Sequence, residues 1–159
     1  AKNQIIEMPS LMNQLFDDAQ AYNVDYGHTL NLDIDSHCDL IGSDIELASA
    51  FSNLISNAIK YTPKGGTVTI GWHDDGEHGY FTVEDTGIGI DPKHLPRLTE
   101  RFYRVDSARS RQTGGTGLGL AIVKHVLMQH NAYLEIDSEE NKGSTFRVVF
   151  PKERLYMHE

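Results

Sequence analysis

A chain of 159 residues is about one domain's worth, and at that length a single core can be buried without disulfide or metal staples. Apolar residues at 39% and charged residues at 23% exclude a disordered chain, and the lone Cys38 excludes both a disulfide framework and a cysteine-built zinc site. A net charge of −9 excludes a general nucleic-acid face, and the apolar runs are too short to span a bilayer, so no direct membrane contact is expected.

Residues 9–22 read as a helix: Pro9 suits a first turn, and Leu11, Leu15, Ala19 and Tyr22 recur every three to four positions. Residues 28–34 alternate, with Leu30, Leu32 and Ile34 on one face, as in a half-buried strand. Ser43-Asp44-Ile45-Glu46 is a capping box opening a helix with core stripe Leu47, Phe51, Leu54 and Ala58, ended by Thr62-Pro63-Lys64-Gly65-Gly66. Residues 67–73 and 80–85 predict a hairpin around Asp74-Asp75-Gly76. Residues 92–116 are rich in Pro, Arg, Ser and Gly, with one helical stretch near 93–102. Residues 117–130 predict a helix apolar almost all round, hence buried. Two strands, near 132–137 and 145–150, close the chain around Asn141-Lys142-Gly143. This order suits two layers, with helices on one face of a mixed sheet. A loop of about 25 residues needs a reason, because such loops are usually lids or disordered.

Four segments carry possible chemistry. Asn53, Asn57, Lys60 and Tyr61 share one face of the second helix, beside its core stripe. They are either a solvated polar face or a set that holds hydrated Mg²⁺ and phosphate oxygens, since Mg²⁺ is content with one protein carbonyl. Glu84-Asp85-Thr86-Gly87-Ile88-Gly89 directly follows a strand. It is either a plain turn or a carboxylate for an exocyclic amine, with glycines that let backbone approach a flat ligand. Gly114-Gly115-Thr116-Gly117-Leu118-Gly119 enters a helix, where exposed N–H groups suit phosphate, although the spacing is neither the dinucleotide fingerprint nor a P-loop. Arg97, Arg101, Arg104, Arg109 and Arg111 put five of the 14 basic residues within 15 positions, as a solvated stretch or an anion clamp. The eight histidines show no metal spacing, and no GxSxG, HRD-type loop or DFG occurs.

In order, these segments resemble the motifs of the bacterial sensor histidine kinases. Asn53 to Thr62 resembles their N box, Asp85-Thr-Gly87-Ile-Gly89 the first Gly box, and Arg101-Phe-Tyr-Arg104 the F box. Gly115-Thr116-Gly117-Leu118-Gly119 resembles the second Gly box, and Gly143-Ser144-Thr145-Phe146 the final strand's motif. The stretch from Arg97 to His125 is similar to the phosphate-regulon branch of that family. The resemblance implies the Bergerat ATP-binding fold shared with gyrase B, Hsp90 and MutL, an α/β (α+β) two-layer sandwich with three main helices on one face of a mixed sheet. It implies one catalytic and ATP-binding domain over residues 1–159. Residues 1–8 would link it to a missing dimerisation domain, and residues about 91–116 would form an ATP lid.

The cofactors implied are ATP and Mg²⁺. By resemblance, Asn57 coordinates Mg²⁺ with Asn53 in support, Lys60 meets phosphate oxygens, and Tyr61 lies near base or ribose. Asp85 takes the adenine amino group in a pocket shaped by Gly87 and Gly89. Arg101 or Arg104 reaches the γ-phosphate, Gly115 to Gly119 wrap the phosphates, and Thr145 serves the adenine pocket through water.

The family's phosphoacceptor box is absent, as none of the eight histidines has its context. The start at Ala1-Lys2-Asn3 reads as a piece of a longer protein. The expected function is γ-phosphoryl transfer from ATP to a histidine on a separate dimerisation domain, for relay to a phosphate-regulon response regulator. The domain alone is expected to be a monomer, on the cytoplasmic side of a homodimeric parent anchored in the inner membrane. The ATP-hydrolysing relatives place a Glu where Asn53 stands, so little water-directed catalysis is expected. An ATPase or clamp module and a non-catalytic ATP-binding scaffold stay open as alternatives.

Overall fold

A computed structural model describes residues 3–87, 118–139 and 142–158. Its elements, in chain order, are β1 (Gln4–Ile6), α1 (Met8–Tyr22), β2 (Thr29–Ile34), β3 (Asp39–Gly42), α2 (Asp44–Tyr61), β4 (Thr67–Asp74), β5 (His78–Asp85), α3 (Leu118–Gln129), β6 (Tyr133–Glu139), β7 (Gly143–Pro151) and β8 (Leu155–Tyr156).

The main sheet has the order β2-β4-β5-β7-β6. Strands β2 and β4 run parallel, and every other neighbour pair is antiparallel. Alternation along the strands sends Leu30, Leu32, Val68, Ile70, Trp72, Phe81, Val83, Val148 and Phe150 to the face that the helices cover. Phe51 of α2 stacks on Phe81 with ring centroids 4.0 Å apart, and Phe150 meets Phe51 edge-on at 6.1 Å. The buried Trp72 donates its indole N–H to the Cys38 carbonyl at 3.0 Å.

The capping box forms as the sequence predicts, with Glu46 N–H donating to Ser43 Oγ at 3.3 Å. Ser43 N–H in turn donates to His130 Nε2 at 3.0 Å, and His130 Nδ1 faces the Val126 carbonyl at 2.8 Å. One ring nitrogen accepts and the other donates, so these bonds select the neutral imidazole with its proton on Nδ1. A Cβ at Gly42 would come 2.5 Å from that ring, so the close packing of β3 on α3 needs glycine there.

Three short strands, β1, β3 and β8, escape the sequence reading and form a second sheet in the order β1-β3-β8. They are too short for alternation to show, and tertiary pairing makes them. Asp39 of β3 is buried and replaces the missing cap of α1: Glu7 gives no side-chain cap, and Met8 N–H donates to Asp39 Oδ1 at 2.8 Å. The other carboxylate oxygen lies 2.7 Å from His158 Nε2.

The helix expected to be buried all round is not. In α3, Val123 and Leu127 are buried, while Ile122 and Met128 are 48% and 65% exposed. One side of α3 packs on α2, and among the described residues nothing covers the other. The expected helical stretch near 93–102 and the lid at 91–116 lie outside the described residues. Among the described residues, no helix is long and apolar enough to cross a membrane.

Phe51→Ala should destabilise the domain by about 3–5 kcal/mol, because it empties the centre of the core. Ile45→Ala, at a site 83% exposed, should stay within about 0.5 kcal/mol. Urea unfolding followed by circular dichroism reads both.

Candidate functional site

The stacking of Phe51 on the sheet orients the rest of α2. Leu47, Ala50, Phe51, Leu54, Ile55, Ala58 and Ile59 are buried, while Asn53, Asn57, Lys60 and Tyr61 stay half-buried along one flank. Two carboxamides, an ammonium and a phenol therefore line up over two turns. Thr62 closes the helix by donating both its N–H (3.1 Å) and its Oγ1–H (2.7 Å) to the Ala58 carbonyl.

Asp85 ends β5 on the helix-covered side of the sheet. Its Oδ1 accepts the Gly87 N–H at 2.8 Å, making a tight turn. Burial pushes its carboxyl above the ordinary carboxylate range, against the pull of the Gly87 and Ser144 backbone N–H groups. Gly87 is glycine for space: a Cβ there would lie 2.8 Å from Asp85 Oδ1 and 3.0 Å from the Tyr61 carbonyl oxygen. The Asp85 turn thus touches the last turn of α2, and a desolvated carboxylate sits beside the polar flank of that helix. Thr86 fastens the turn to β4: its N–H donates to the Thr67 carbonyl at 3.1 Å, and its Oγ1 accepts the Thr67 N–H at 2.9 Å.

Thr145 does not belong with Asp85. It pairs with Glu84, and its hydroxyl donates to Glu84 Oε2 at 3.4 Å, on the outer face of the sheet. There it lines a cavity of about 360 Å³ with Asp33, His73, Thr82, Glu84 and Arg147. The register puts Ser144 directly opposite Asp85, buried, with its hydroxyl 2.9 Å from that of Ser138. The correction follows from the period of a strand: if Phe146 faces the core, Ser144 does too, and Thr145 faces away. That alternation is legible in Gly143-Ser144-Thr145-Phe146, and it sets Ser144 rather than Thr145 on the Asp85 side of the sheet.

Among the other expected site residues, Gly89, Arg101, Arg104, Gly115, Thr116 and Gly117 lie outside the described residues. Leu118 and Gly119 form the first turn of α3.

A desolvated carboxylate at a strand end, in a turn packed on the end of a helix with a polar flank, in a two-layer sandwich, matches a known class. Residues 42–154 match the model of the histidine kinase-, DNA gyrase B- and HSP90-like ATPases, and the chain belongs to that family. It is an ATP-binding domain of the kind found in sensor histidine kinases. It is 55% identical over 148 residues to the phosphate regulon sensor protein PhoR of Pseudomonas aeruginosa, covering 93% of this chain and 33% of that one. The corresponding protein of Haemophilus influenzae is 46% identical, over 92% of this chain and 34% of its own length. The chain thus spans about a third of the length of these relatives. Among solved structures, the mycobacterial sensor histidine kinase MprB superposes with a TM-score of 0.82 at 29% identity, covering 93% of this chain and 97% of that one.

Asp85→Asn should stabilise the ligand-free domain at neutral pH. The folded carboxyl titrates above its ordinary value, so the ionised form costs stability once pH rises through the folded value. An amide can still accept from Gly87 without that cost. The melting-temperature gain should be present at pH 7 and vanish as the pH falls into the carboxylate range, where Asp85 is protonated. Equal melting temperatures at pH 7 would contradict the desolvation of this group.

Proposed function

We propose that this domain binds Mg-ATP and donates its γ-phosphoryl group to a histidine on the dimerisation domain of a phosphate-regulon sensor kinase. The observation that carries the reading is the desolvated Asp85 carboxylate, held by Gly87 in a turn that packs on the end of α2, whose flank carries Asn57, Lys60 and Tyr61. A full-length relative by fold, ShkA, superposes with a TM-score of 0.80 at 25% identity in a complex with AMPPNP, over 94% of this chain and 31% of that one.

In this reading the other Asp85 oxygen accepts a hydrogen bond from the adenine 6-amino group, a contact that the 6-carbonyl of guanine cannot offer. Gly87 and Ser144 shape the adenine pocket around it, and Tyr61 lies beside the base or ribose. Lys60 neutralises phosphate oxygens. Arg101 or Arg104 stabilises charge on the γ-phosphoryl group, and the N–H groups from Gly115 to Gly119 wrap the phosphates. Among the described residues no three His, Cys, Asp or Glu side chains converge as metal ligands. The side-chain carbonyl of Asn57, with Asn53 beside it, would hold a hydrated Mg²⁺ here, since this ion needs few protein ligands. The metal supplies charge neutralisation of the phosphates.

The transfer breaks the bond between the γ-phosphorus and its bridging oxygen and forms a phosphorus–nitrogen bond to an imidazole. ADP leaves, and the imidazole gives up its N–H proton. With Asn53 where a water-activating carboxylate would stand, the domain positions an incoming nucleophile and leaves water unactivated, which argues against the ATPase and clamp reading. The partners are the dimerisation domain and then a phosphate-regulon response regulator, in a homodimeric parent anchored in the inner membrane with this domain in the cytoplasm. Residues 1–8 serve as the linker and residues about 91–116 as the ATP lid of this one domain.

Asp85→Ala should weaken ATP by about 10- to 150-fold, the worth of one hydrogen bond to a charged group, and erase the preference for adenine over guanine. Calorimetric titration with ATP and GTP reads both, and unchanged affinity removes Asp85 from the site. Mixed with labelled ATP alone, the domain should stay unlabelled. With the dimerisation helices of its parent it should label their histidine with an acid-labile, base-stable phosphoramidate. Label retained on this chain alone would overturn the donor reading.

A further inference from the structure

The last carbonyls of any helix lack intrahelical donors. In α2 the Ala58 carbonyl is served twice by Thr62, but the Ile59 carbonyl is in a different position. Its partner four residues on is Pro63, which has no N–H, and Thr62 has already left helical dihedrals with ψ at 129°. The donor arrives from 31 residues upstream: His28 Nε2 lies 2.8 Å from the Ile59 carbonyl oxygen. A carbonyl only accepts, so Nε2 carries the proton. Nδ1 of the same ring is buried with no partner, so the ring's polar tie runs to Ile59.

His28 is itself held rigidly. The buried Asn23 side chain accepts the His28 N–H at 3.1 Å and donates to its carbonyl at 2.7 Å. The ring stacks on Tyr26 with centroids 6.0 Å apart. The next residue, Thr29, donates its N–H to the Gly66 carbonyl at 2.8 Å. His28, just before β2, and Thr29, its first residue, thus bracket the segment between Ile59 and Gly66. That segment begins with Lys60.

We propose that His28 is a positioning residue for Lys60: it supplies the donor that the end of α2 lacks and so fixes the turn that presents this ammonium to the nucleotide phosphates. The proposal rests on the functional reading above. Thr62 is tied separately to Ala58, and the Asp85–Gly87 turn is tied to β4 through Thr86 and Thr67. Loss of the His28 bond therefore acts on phosphate binding and spares the adenine end.

The test compares ADP with adenosine by calorimetry on the whole domain in Mg²⁺, with thermal unfolding in parallel. His28→Phe keeps the ring and removes the donor. It should weaken ADP by about tenfold, the cost of one orphaned buried acceptor, while adenosine changes by less than about twofold. His28→Gln, whose amide N–H reaches as far as Nε2, should restore ADP affinity, and His28→Asn, one methylene shorter, should not. This polar pair decides the matter if the Phe variant fails to fold. Unchanged ADP affinity in a folded Phe variant, an equal loss of ADP and adenosine, or Gln and Asn behaving alike would each overturn the proposal. A wild-type domain that binds adenosine but gains nothing from the phosphates removes Lys60 from the site and the proposal with it. One that binds neither ligand overturns the nucleotide reading itself.

Discussion

The stack of Phe51 on Phe81 is the contact on which the rest of the domain depends. It decides which side of α2 faces the sheet. A helix has one rotational setting at a time, so burying Leu47, Phe51, Leu54 and Ala58 also sets where Asn53, Asn57 and Lys60 point. The hydrophobic effect thus aims a polar flank without any polar interaction needing to do so. The same rings hold β5 under α2, and β5 delivers Asp85 at its end. One apolar contact therefore positions both halves of the site.

The sheet enforces a second separation. Its helix-covered face carries the core and then, at the strand ends, Asp85 and Ser144. Its outer face carries Asp33, His73, Glu84, Thr145 and Arg147, a charged surface that needs no cover. Neighbours in sequence thus serve different solvents. Glu84 lies exposed, while burial raises the pKa of the Asp85 carboxyl one residue on. That asymmetry leaves one carboxylate a surface charge and its neighbour a desolvated group at the end of α2.

Much of this was legible in the residues. The 3.6-residue stripe of α2, its capping box, and the alternation of Leu30, Leu32 and Ile34 state their local structure openly, because each is a short-range pattern with one solution. The order of the polar and glycine motifs was enough to suggest the family. Other features were not legible, for identifiable reasons. Strands β1, β3 and β8 are two to four residues long and exist only as partners of one another. The cap of α1 comes from Asp39, 31 residues from Met8, and the donor at Ile59 comes from His28 across the same separation. Such bonds leave no periodic trace. Pro63, four residues after Ile59, does announce that a donor must be found, though not where. Thr145 falls on the outer face because strand parity, which a motif does not encode, sets its side.

The small sheet makes the domain a mechanical linkage. Strand β3 is gripped on both sides, by β1 and by β8, and it runs within one residue into Ser43 and the start of α2. Antiparallel hydrogen bonds lie across the strands, so a pull along β1 loads them together in shear rather than one after another. Asp39 rivets the same strand to the start of α1 and to His158. A pull on residues 4–6 would therefore load the strand that leads directly into the helix carrying Asn53, Asn57 and Lys60.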